Sequence, residues 1–561
     1  MKRILIGSVL LITLLLGSCA SHEAQESVSA TNAETMQTMQ APSTEATIIP
    51  PLTVTPAPEN PPEECKAKLT SLVLSKEDNP TLAKDLIFTI DQDALIASLS
   101  VDYQNYADLA TLSAALLRAS TDGQSVSYDQ VMQGGKVDLL DNPNLIVTDA
   151  EGNGKLYQVK VSRKINQLPI VNITLAGDKT VAEIDRNLTT AMTVSIDCTG
   201  TDRYESLNTV NGKIRGRGNS TWKWDKKPYK IKLDKAASLL GLDENRDWIL
   251  LANYADKSLL RNTLAYEMGR VLDNLFWTPT QYPVDLFING EYQGVYGFGE
   301  HMEVSEGRVD IEVSNDVDTD YFLEIGGMAL TGEYEDKDYF HTDSRLIRFA
   351  TYKSPEPSKI TEAQKAFIAD YFEKAEAAIR SGEGYEEYID VDSFIDWIIL
   401  HELSYNIDSC FRRSCYLVKE KGGKIKMGPV WDFDLAFGNF SRDNKKYDDL
   451  ITPGSDAEDA YIKENWCTYL LKDPEFCRRL YQRWQEVRDD LLETAALTLT
   501  HYSALLDGSQ QENFNVWKIW DERAGYQSSW CSTANTYEKQ IQYLRDFLNK
   551  RAKWMDQNLP R

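Results

Sequence analysis

A Gly-Gly turn at residues 422–423 constrains the fold of this chain most strongly. It joins two short strand-like pieces, 415–418 and 424–427, and glycine permits the positive φ that a tight hairpin needs. Asp408 precedes the first piece and Asp432 follows the second. Folding the hairpin back on itself therefore returns Asp432 to the neighbourhood of Asp408, and we expect the two carboxylates to share a cleft.

Asp432 belongs to a second pattern, because Asp434 lies two residues further on. In extended backbone that spacing puts both side chains on one face. Clustered carboxylates repel one another, so such a site is usually stabilised by a hard cation with oxygen ligands, namely Mg²⁺, Mn²⁺ or Ca²⁺. Trp431 and Phe433 would exclude water from one side. A solvated acidic turn beside a core strand is the alternative.

The overall charge limits the partners of the chain. Its 561 residues carry a net charge of −26. Nucleic acids and anionic membrane surfaces attract cationic protein surfaces, so neither is expected as the principal partner. The length predicts two or three domains once a leader and a linker are set aside.

The first 19 residues indicate export. Two basic residues precede an apolar run at 4–16, which is too short for a stable membrane-spanning helix. Leu-Gly-Ser-Cys at 16–19 resembles the bacterial lipobox, which implies a lipid anchor on Cys19 and an extracytoplasmic protein. An ordinary signal peptide with an incidental cysteine is the alternative. Residues 20–64 contain no Lys or Arg and seven Pro, and are predicted to form a disordered tether.

The remainder divides into two predicted domains. Short alternating runs at 65–165 predict a small accessory β-sandwich, in which we find no catalytic pattern. Residues 168–561 predict a larger α+β domain with helices at 256–272, 361–380 and 392–406 and a mainly helical C-terminal part. Among the cysteines, Cys410 can pair with Cys415 and Cys467 with Cys477, but the sequence does not determine connectivity. No zinc-like CxxC pair occurs.

Residues 213–235 reverse the charge of the chain locally, with nine basic residues and two acidic ones. A glycine turn at 216–220 lies between two strand-like pieces, and backbone N–H groups there can approach an anion. A solvated basic hairpin is the alternative. The side chains available for phosphate contacts are Arg215, Arg217, Lys227, Lys230 and Lys232.

A hairpin is also predicted at 282–298, because Asn289-Gly290 suits a type I′ turn between two alternating runs. It ends at the carboxylate of Glu300.

Four motifs in order carry a family resemblance: RGRGNSTWKWDKKPYKIKLDK, WILLANYADKSLLRN, VDLFINGEYQGVYGFGE and MGPVWDFDLAFGN. With the Asp408 region they resemble the successive motifs of the CotH kinase family, named for spore-coat protein H. The resemblance spans roughly 168–439. It implies an atypical protein-kinase-like fold that uses ATP with Mg²⁺ or Mn²⁺ to phosphorylate protein hydroxyls.

The resemblance also implies roles for individual residues. Asp408 corresponds to the catalytic aspartate and Asp432 to the metal-binding one. Ordinary kinases place a metal-ligating Asn five residues after the catalytic Asp, where this chain has Arg413, so Asp434 or Asn439 is the expected second ligand. The basic loop and strand correspond to the nucleotide-binding region, with Lys227 or Lys232 as the phosphate-contacting lysine and Glu300 as its partner. The residues assigned to nucleotide binding are Arg215, Arg217, Asn219, Lys227, Lys230, Lys232 and Glu300.

The expected function is that of a lipid-anchored extracytoplasmic Ser/Thr kinase acting on exported proteins. Phosphoryl transfer needs a proton-accepting carboxylate, a metal-binding carboxylate and cations along the phosphates, and the chain offers each. One alternative is a catalytically inactive CotH-like adhesion or scaffold lipoprotein. Another reads residues 432–434 as the Asp-x-Asp site of a sugar-nucleotide transferase, but the alternating β and α units of such folds are not seen.

Overall fold

The computed structural model describes residues 64–164, 166–326, 334–411, 413–440, 447–453, 464–523, 527–528 and 533–561. The predicted leader, the predicted lipidation site Cys19 and the predicted tether lie outside these residues. A single compact unit spans 63–561. None of the helices in the described part of the chain has the length and apolarity required to cross a membrane.

The predicted accessory region, 65–165, forms two sheets around a shared core that includes Leu69, Leu99 and Tyr157. The same core takes in Ile170 and Phe287 from the following domain. The sheet orders are β2-β1-β5 and β3-β4-β8-β7-β6. The elements are β1 (Leu69–Leu74), β2 (Leu86–Ile87), β3 (Thr89–Asp91), β4 (Ile96–Val101), α1 (Leu109–Ser113), β5 (Leu117–Thr121), β6 (Ser125–Tyr128), β7 (Asn144–Thr148) and β8 (Gly154–Arg163).

Seven strands then close into a barrel in the order β10-β11-β12-β13-β15-β14-β9. The predicted hairpin is confirmed as β14 and β15, and both turn residues, Asn289 and Gly290, have positive φ (52° and 76°). The strands are β9 (Ile170–Leu175), β10 (Thr190–Asp197), β11 (Leu207–Gly216), β12 (Tyr229–Ala237), β13 (Asn245–Leu251), β14 (Gln281–Ile288) and β15 (Glu291–Glu300).

A further five-stranded sheet has the order β17-β18-β16-β19-β20. Its β19 and β20 are the hairpin predicted around residues 422–423, and Gly422 has the expected positive φ of 65°. The hairpin tip is held by Asp318, whose carboxylate lies 2.5 Å from Lys419 Nζ and accepts the Gly422 N–H at 2.9 Å. The strands are β16 (Tyr321–Ile325), β17 (Tyr339–Phe340), β18 (Ala350–Ser354), β19 (Cys415–Lys419) and β20 (Ile425–Met427).

The helices complete an α+β fold. The predicted start of the 256–272 helix is wrong, because the Asp256 carboxylate accepts N–H groups of Ser258 and Arg261 in a preceding turn and the helix begins only at Arg261. Thr361 and Asp390 cap the next two helices as their side-chain oxygens accept backbone N–H groups. The helices are α2 (Arg261–Gly269), α3 (Glu362–Ser381), α4 (Val391–Ser404), α5 (Trp466–Leu470), α6 (Pro474–Leu505), α7 (Asp507–Val516) and α8 (Tyr537–Asn558).

The pairings considered for the cysteines are not formed. Cys410, Cys415, Cys467 and Cys477 are buried free thiols, as are the other two described cysteines, Cys65 and Cys198.

Candidate active site

A cavity of about 310 Å³ lies where the barrel meets the β17-β18-β16-β19-β20 sheet. The loop between β11 and β12 forms one wall, and the chain segments on either side of the β19–β20 hairpin form another. The polar and charged side chains that line it include Arg217, Asn219, Asn262, Glu324, Lys353, Asp408, Arg413, Ser414, Asp432 and Asp434. The hairpin therefore brings Asp408 and Asp432 to one cleft, as its turn predicted.

Two side-chain hydrogen bonds join the backbone segments that carry Asp408 and Asp432. The α4 helix ends at Ser404, and the Asn406 side-chain N–H donates to the carbonyl oxygen of Asp432 at 3.1 Å. The Ser409 hydroxyl donates to the same carbonyl at 3.1 Å. These bonds flank Asp408, so the segment that carries it is tied directly to the segment that carries Asp432.

Asp432 is under electrostatic stress. Burial and then the Asp408 carboxylate raise its pKa to about 6, although the Ser414 hydroxyl, which donates to Asp432 Oδ2 at 3.1 Å, and the Arg217 guanidinium lower it. The backbone of Asp432 is also in the left-handed region, with φ 69°. A non-glycine residue in that region is uncommon and is often found at functional sites.

Asp434 strengthens this repulsion. Its pKa lies well above the usual range because of burial and the neighbouring Asp432 and Asp408 carboxylates. In the described part of the chain no three His, Cys, Asp or Glu side chains are arranged to hold a metal ion. Mg²⁺ is commonly held by one or two carboxylates plus substrate phosphates and water. The donor set of Asp432 and Asp434 fits a cation shared with a phosphate ligand, and does not form a cage of protein ligands.

Asn439, the other predicted metal ligand, does not line the cavity. It is buried, and its side-chain N–H group donates to the carbonyl oxygens of Asp434 at 2.7 Å and Ala255 at 2.8 Å. The residue therefore supports the backbone that carries Asp434, and the geometry does not support its assignment as a ligand.

Two cationic side chains face these acids. Arg217 lies in the β11–β12 loop with its guanidinium carbon 5.7 Å from the Trp431 ring centroid. Arg413 lies beside Asp408, with 3.8 Å between Nη1 and Oδ1. Arg413 thus lies next to the predicted proton acceptor. It stands five residues after Asp408, at the sequence position where ordinary kinases have the metal-ligating Asn.

Comparison with protein families agrees with this geometry. The family model described as CotH kinase protein matches residues 214–555, which is more than half of the chain. The chain belongs to the CotH kinase protein family. No curated protein matches it significantly. All the cavity side chains named above fall inside the CotH match, and the mixed α+β fold is consistent with a kinase-like domain.

Several predicted nucleotide-binding residues of this CotH domain do not line the cavity. Strand alternation explains two of them. Tyr229, Ile231 and Leu233 of β12 point into the barrel core, so Lys230 and Lys232 point outward, where they pair with Asp247 on β13 at 2.6 and 3.2 Å.

Three more predicted residues have contacts elsewhere. Lys227 Nζ donates to the Trp222 carbonyl oxygen at 2.8 Å, and Arg215 Nη1 donates to the Gly216 carbonyl oxygen at 3.0 Å. Glu300 accepts the Thr280 N–H at 2.7 Å. The lysine–glutamate pair expected at the cavity is therefore formed neither by Lys227 and Glu300 nor by Lys232 and Glu300.

The CotH domain instead places a different pair on the cavity wall. Lys353 of β18 and Glu324 of β16 lie on adjacent strands, and 3.0 Å separates Nζ from Oε2. Burial lowers the pKa of Lys353, but the Glu324 carboxylate outweighs this and raises it. Sequence reasoning missed the pair because the two residues belong to separate strands. The available signal is a single charged residue in each strand, Glu324 in YFLEI and Lys353 in ATYKS.

Proposed function

We propose that this CotH protein is a divalent-metal-dependent protein kinase that transfers the γ-phosphate of ATP to Ser or Thr hydroxyls. The observation that carries the proposal is the convergence of Asp408, Asp432 and Asp434 opposite Arg217 and Lys353 in one cavity. Phosphoryl transfer depends on positioning and charge neutralisation, and this cavity contains both signs of charge at close range.

In this proposal Asp408 binds the acceptor hydroxyl and takes its proton. The acceptor oxygen forms a bond to the γ-phosphorus, the bond from that phosphorus to the β,γ-bridging oxygen breaks, and ADP leaves. Arg217 and Lys353 bind phosphate oxygens by charge-assisted hydrogen bonds. Asp432 and Asp434 would hold Mg²⁺ or Mn²⁺, which supplies positive charge that offsets the charge of the phosphates.

A second cavity, of about 620 Å³, supports a location for the nucleoside. Lys353 lines both cavities, and Phe322 lies two residues before Glu324 on β16, hence on the same face of the sheet. Met302, Val304 and Val313 line this second space together with polar and charged side chains that include Glu303, Glu356 and Lys359. We propose that the base binds there while the triphosphate extends past Lys353 toward Asp432.

The cellular setting is proposed from the sequence of the leader. The lipobox-like residues 16–19 support an anchor on Cys19, an extracytoplasmic location and exported proteins as acceptors. Metabolic labelling with a fatty acid tests the anchor. We expect label in the intact chain and none in Cys19→Ser, and equal labelling of both would contradict it.

The test of activity is incubation of the purified protein with γ-labelled ATP, Mn²⁺ and a fraction of co-exported proteins. We expect metal-dependent label on Ser or Thr, and none with Asp408→Asn. ATP binding without transfer to any protein, including the enzyme itself, would favour the inactive scaffold. The Arg413 side chain beside Asp408 is the observation consistent with that second function.

A further inference from the structure

Lys226 is a buried lysine at the end of the loop that carries Arg217. Only 1 % of its surface is exposed. Its ammonium donates to the Val295 carbonyl oxygen at 2.5 Å and to Asn513 Oδ1 at 2.8 Å, and lies 4.7 Å from the Tyr296 ring centroid. Although it belongs to the basic run, Lys226 therefore faces the barrel and a C-terminal helix, and does not line the phosphate-sized cavity.

Burial of this ammonium is costly. It lowers the pKa of Lys226 well below the usual range, and the carboxylate of Asp285 only partly opposes this. A charged group taken out of water needs well-placed hydrogen bonds to offset the lost hydration. The Val295 carbonyl oxygen and Asn513 Oδ1 therefore determine the position of Lys226. Through Lys226 they also fix the backbone of the neighbouring loop residues.

The helix that supplies one acceptor is α7. Asn513 Oδ1 also accepts the Val295 N–H at 3.0 Å, which attaches α7 to β15. One turn earlier on the same helix, the Ser509 hydroxyl donates to Asp285 Oδ2 of β14 at 2.7 Å. The two contacts lie four residues apart, so they share one face of α7.

The accessory domain reaches the same carboxylate. The Tyr103 hydroxyl, in the loop after β4, donates to Asp285 Oδ2 at 2.5 Å and accepts the Asn166 side-chain N–H at 2.6 Å. Asp285 is fully buried, and Tyr292 donates to its other oxygen at 2.7 Å. Asp285 is thus the point where the accessory domain, the barrel and α7 meet.

The residues that follow Lys226 contact the backbone of Arg217, which lines the cavity. The Arg217 N–H donates to the Pro228 carbonyl oxygen at 3.1 Å and closes the loop at its base, two residues after Lys226. Arg217 then directs its side chain into the cavity. A shift of residues 226–228 would therefore move the backbone of Arg217.

We infer that Lys226 is a positioning residue for nucleotide binding. Asn513 of α7 holds the Arg217 loop through Lys226. Ser509 of α7 binds Asp285, which also binds Tyr103 of the accessory domain. Residues 65–165 are then a structural part of the nucleotide site and not a spacer. The inference rests on the proposed function, since it concerns the same site.

The test uses the full chain with Lys226→Met, which keeps the length of the side chain and removes the charge. We expect the KM for Mn·ATP to rise about tenfold, because a displaced Arg217 would lose about one charged hydrogen bond to the phosphates. We expect kcat to stay within about twofold, because Asp408 and Asp432 are held by other contacts. Amide exchange across 217–228 accelerates, while exchange in the 415–427 hairpin stays unchanged.

Lys223→Met is the matched control, because Lys223 is an exposed lysine in the same loop. It leaves KM and loop exchange at wild-type values. Tyr103→Phe, in the accessory domain, raises the same KM by about two- to threefold, since Asp285 retains two other donors. Should Lys226→Met fold poorly, Asn513→Ser tests the same contact while Lys226 keeps its bond to Val295.

The failures are distinguishable. A wild-type protein that binds no ATP overturns the proposed function. A wild-type protein that binds ATP while Lys226→Met, or Asn513→Ser in its place, matches it in KM and loop exchange overturns the positioning role. An unchanged KM for Tyr103→Phe overturns the contribution of the accessory domain.

Discussion

Lys353 Nζ lies 3.0 Å from Glu324 Oε2 on the wall shared by the two cavities. The carboxylate holds the ammonium at the junction between the proposed base and phosphate positions. A lysine so held is pre-oriented before ligand arrives, and pre-orientation reduces the entropy lost on binding.

We predict that Lys353→Met raises the KM for Mn·ATP and lowers kcat, with kcat/KM falling about 10–1000-fold, as for loss of a charge that stabilises the transferring phosphoryl group. Steady-state kinetics measure both parameters. Lys374→Met is the control, because this lysine is exposed on α3 and pairs with Asp370. Equal losses in the two variants would contradict a role for Lys353 at the site.

Asp408→Asn removes the proposed proton acceptor and keeps the shape of the side chain. We expect phosphate transfer to fall about 10²–10⁴-fold, the usual contribution of a general base. ATP affinity, measured by titration calorimetry with Mn²⁺, stays within about threefold of wild type. A parallel loss of binding would show that Asp408 helps to hold the nucleotide.

Asp432→Asn removes one proposed metal ligand and keeps the size of the side chain. We expect Mn²⁺-dependent ATP affinity to fall at least about tenfold, since one of two available carboxylate ligands is lost. Binding is measured with a fluorescent nucleotide across a Mn²⁺ titration. Wild-type affinity in this variant would exclude Asp432 from the metal site.

The same carboxylate predicts a pH dependence in metal-free protein. Its pKa is raised from 3.8 to about 6, mainly by burial and then by Asp408. The folded state therefore binds this proton more tightly than the unfolded state, and the resulting stability is fully present below about pH 4 and lost as pH rises through about 6. We expect the wild-type free energy of unfolding to fall by about 1–3 kcal/mol over this interval relative to Asp432→Asn.

Urea unfolding in a chelator measures this difference. Asp408→Asn, which removes the carboxylate that raises this pKa most after burial, should reduce the pH effect. Identical pH profiles for wild type and Asp432→Asn would contradict the prediction. Addition of Mn²⁺ at pH 7 should restore stability to the wild type and not to Asp432→Asn.

A buried ion pair between α8 and α4 predicts a large stability effect. Arg551 of α8 lies 2.7 Å from the Glu402 carboxylate of α4, and both side chains are almost fully buried. We expect Arg551→Met to lower the free energy of unfolding by about 3–5 kcal/mol, because the buried Glu402 carboxylate loses its cationic partner and keeps only the hydrogen bonds from Ile451 and Thr452. Urea denaturation measures it, and Arg551→Met with Glu402→Gln should recover part of the loss.

The sequence alone was sufficient where local chemistry decides structure. Asn289-Gly290 and Gly422 adopt positive φ because their turns require it, so both hairpins were predictable. The second hairpin has acids on both sides, so its closure brings Asp408 and Asp432 to one cavity. The CotH motifs, which the family match supports, are also local runs of sequence.

Only the tertiary structure decided which cations reach that cavity. Lys230 and Lys232 lie in the right segment, but strand alternation directs them outward to Asp247. Lys353 and Glu324 meet because β16 and β18 pair, and Lys226 is buried because α7 packs on the barrel. Strand pairing and helix packing join residues far apart in the chain, and single-residue spacing carries no information about such partners.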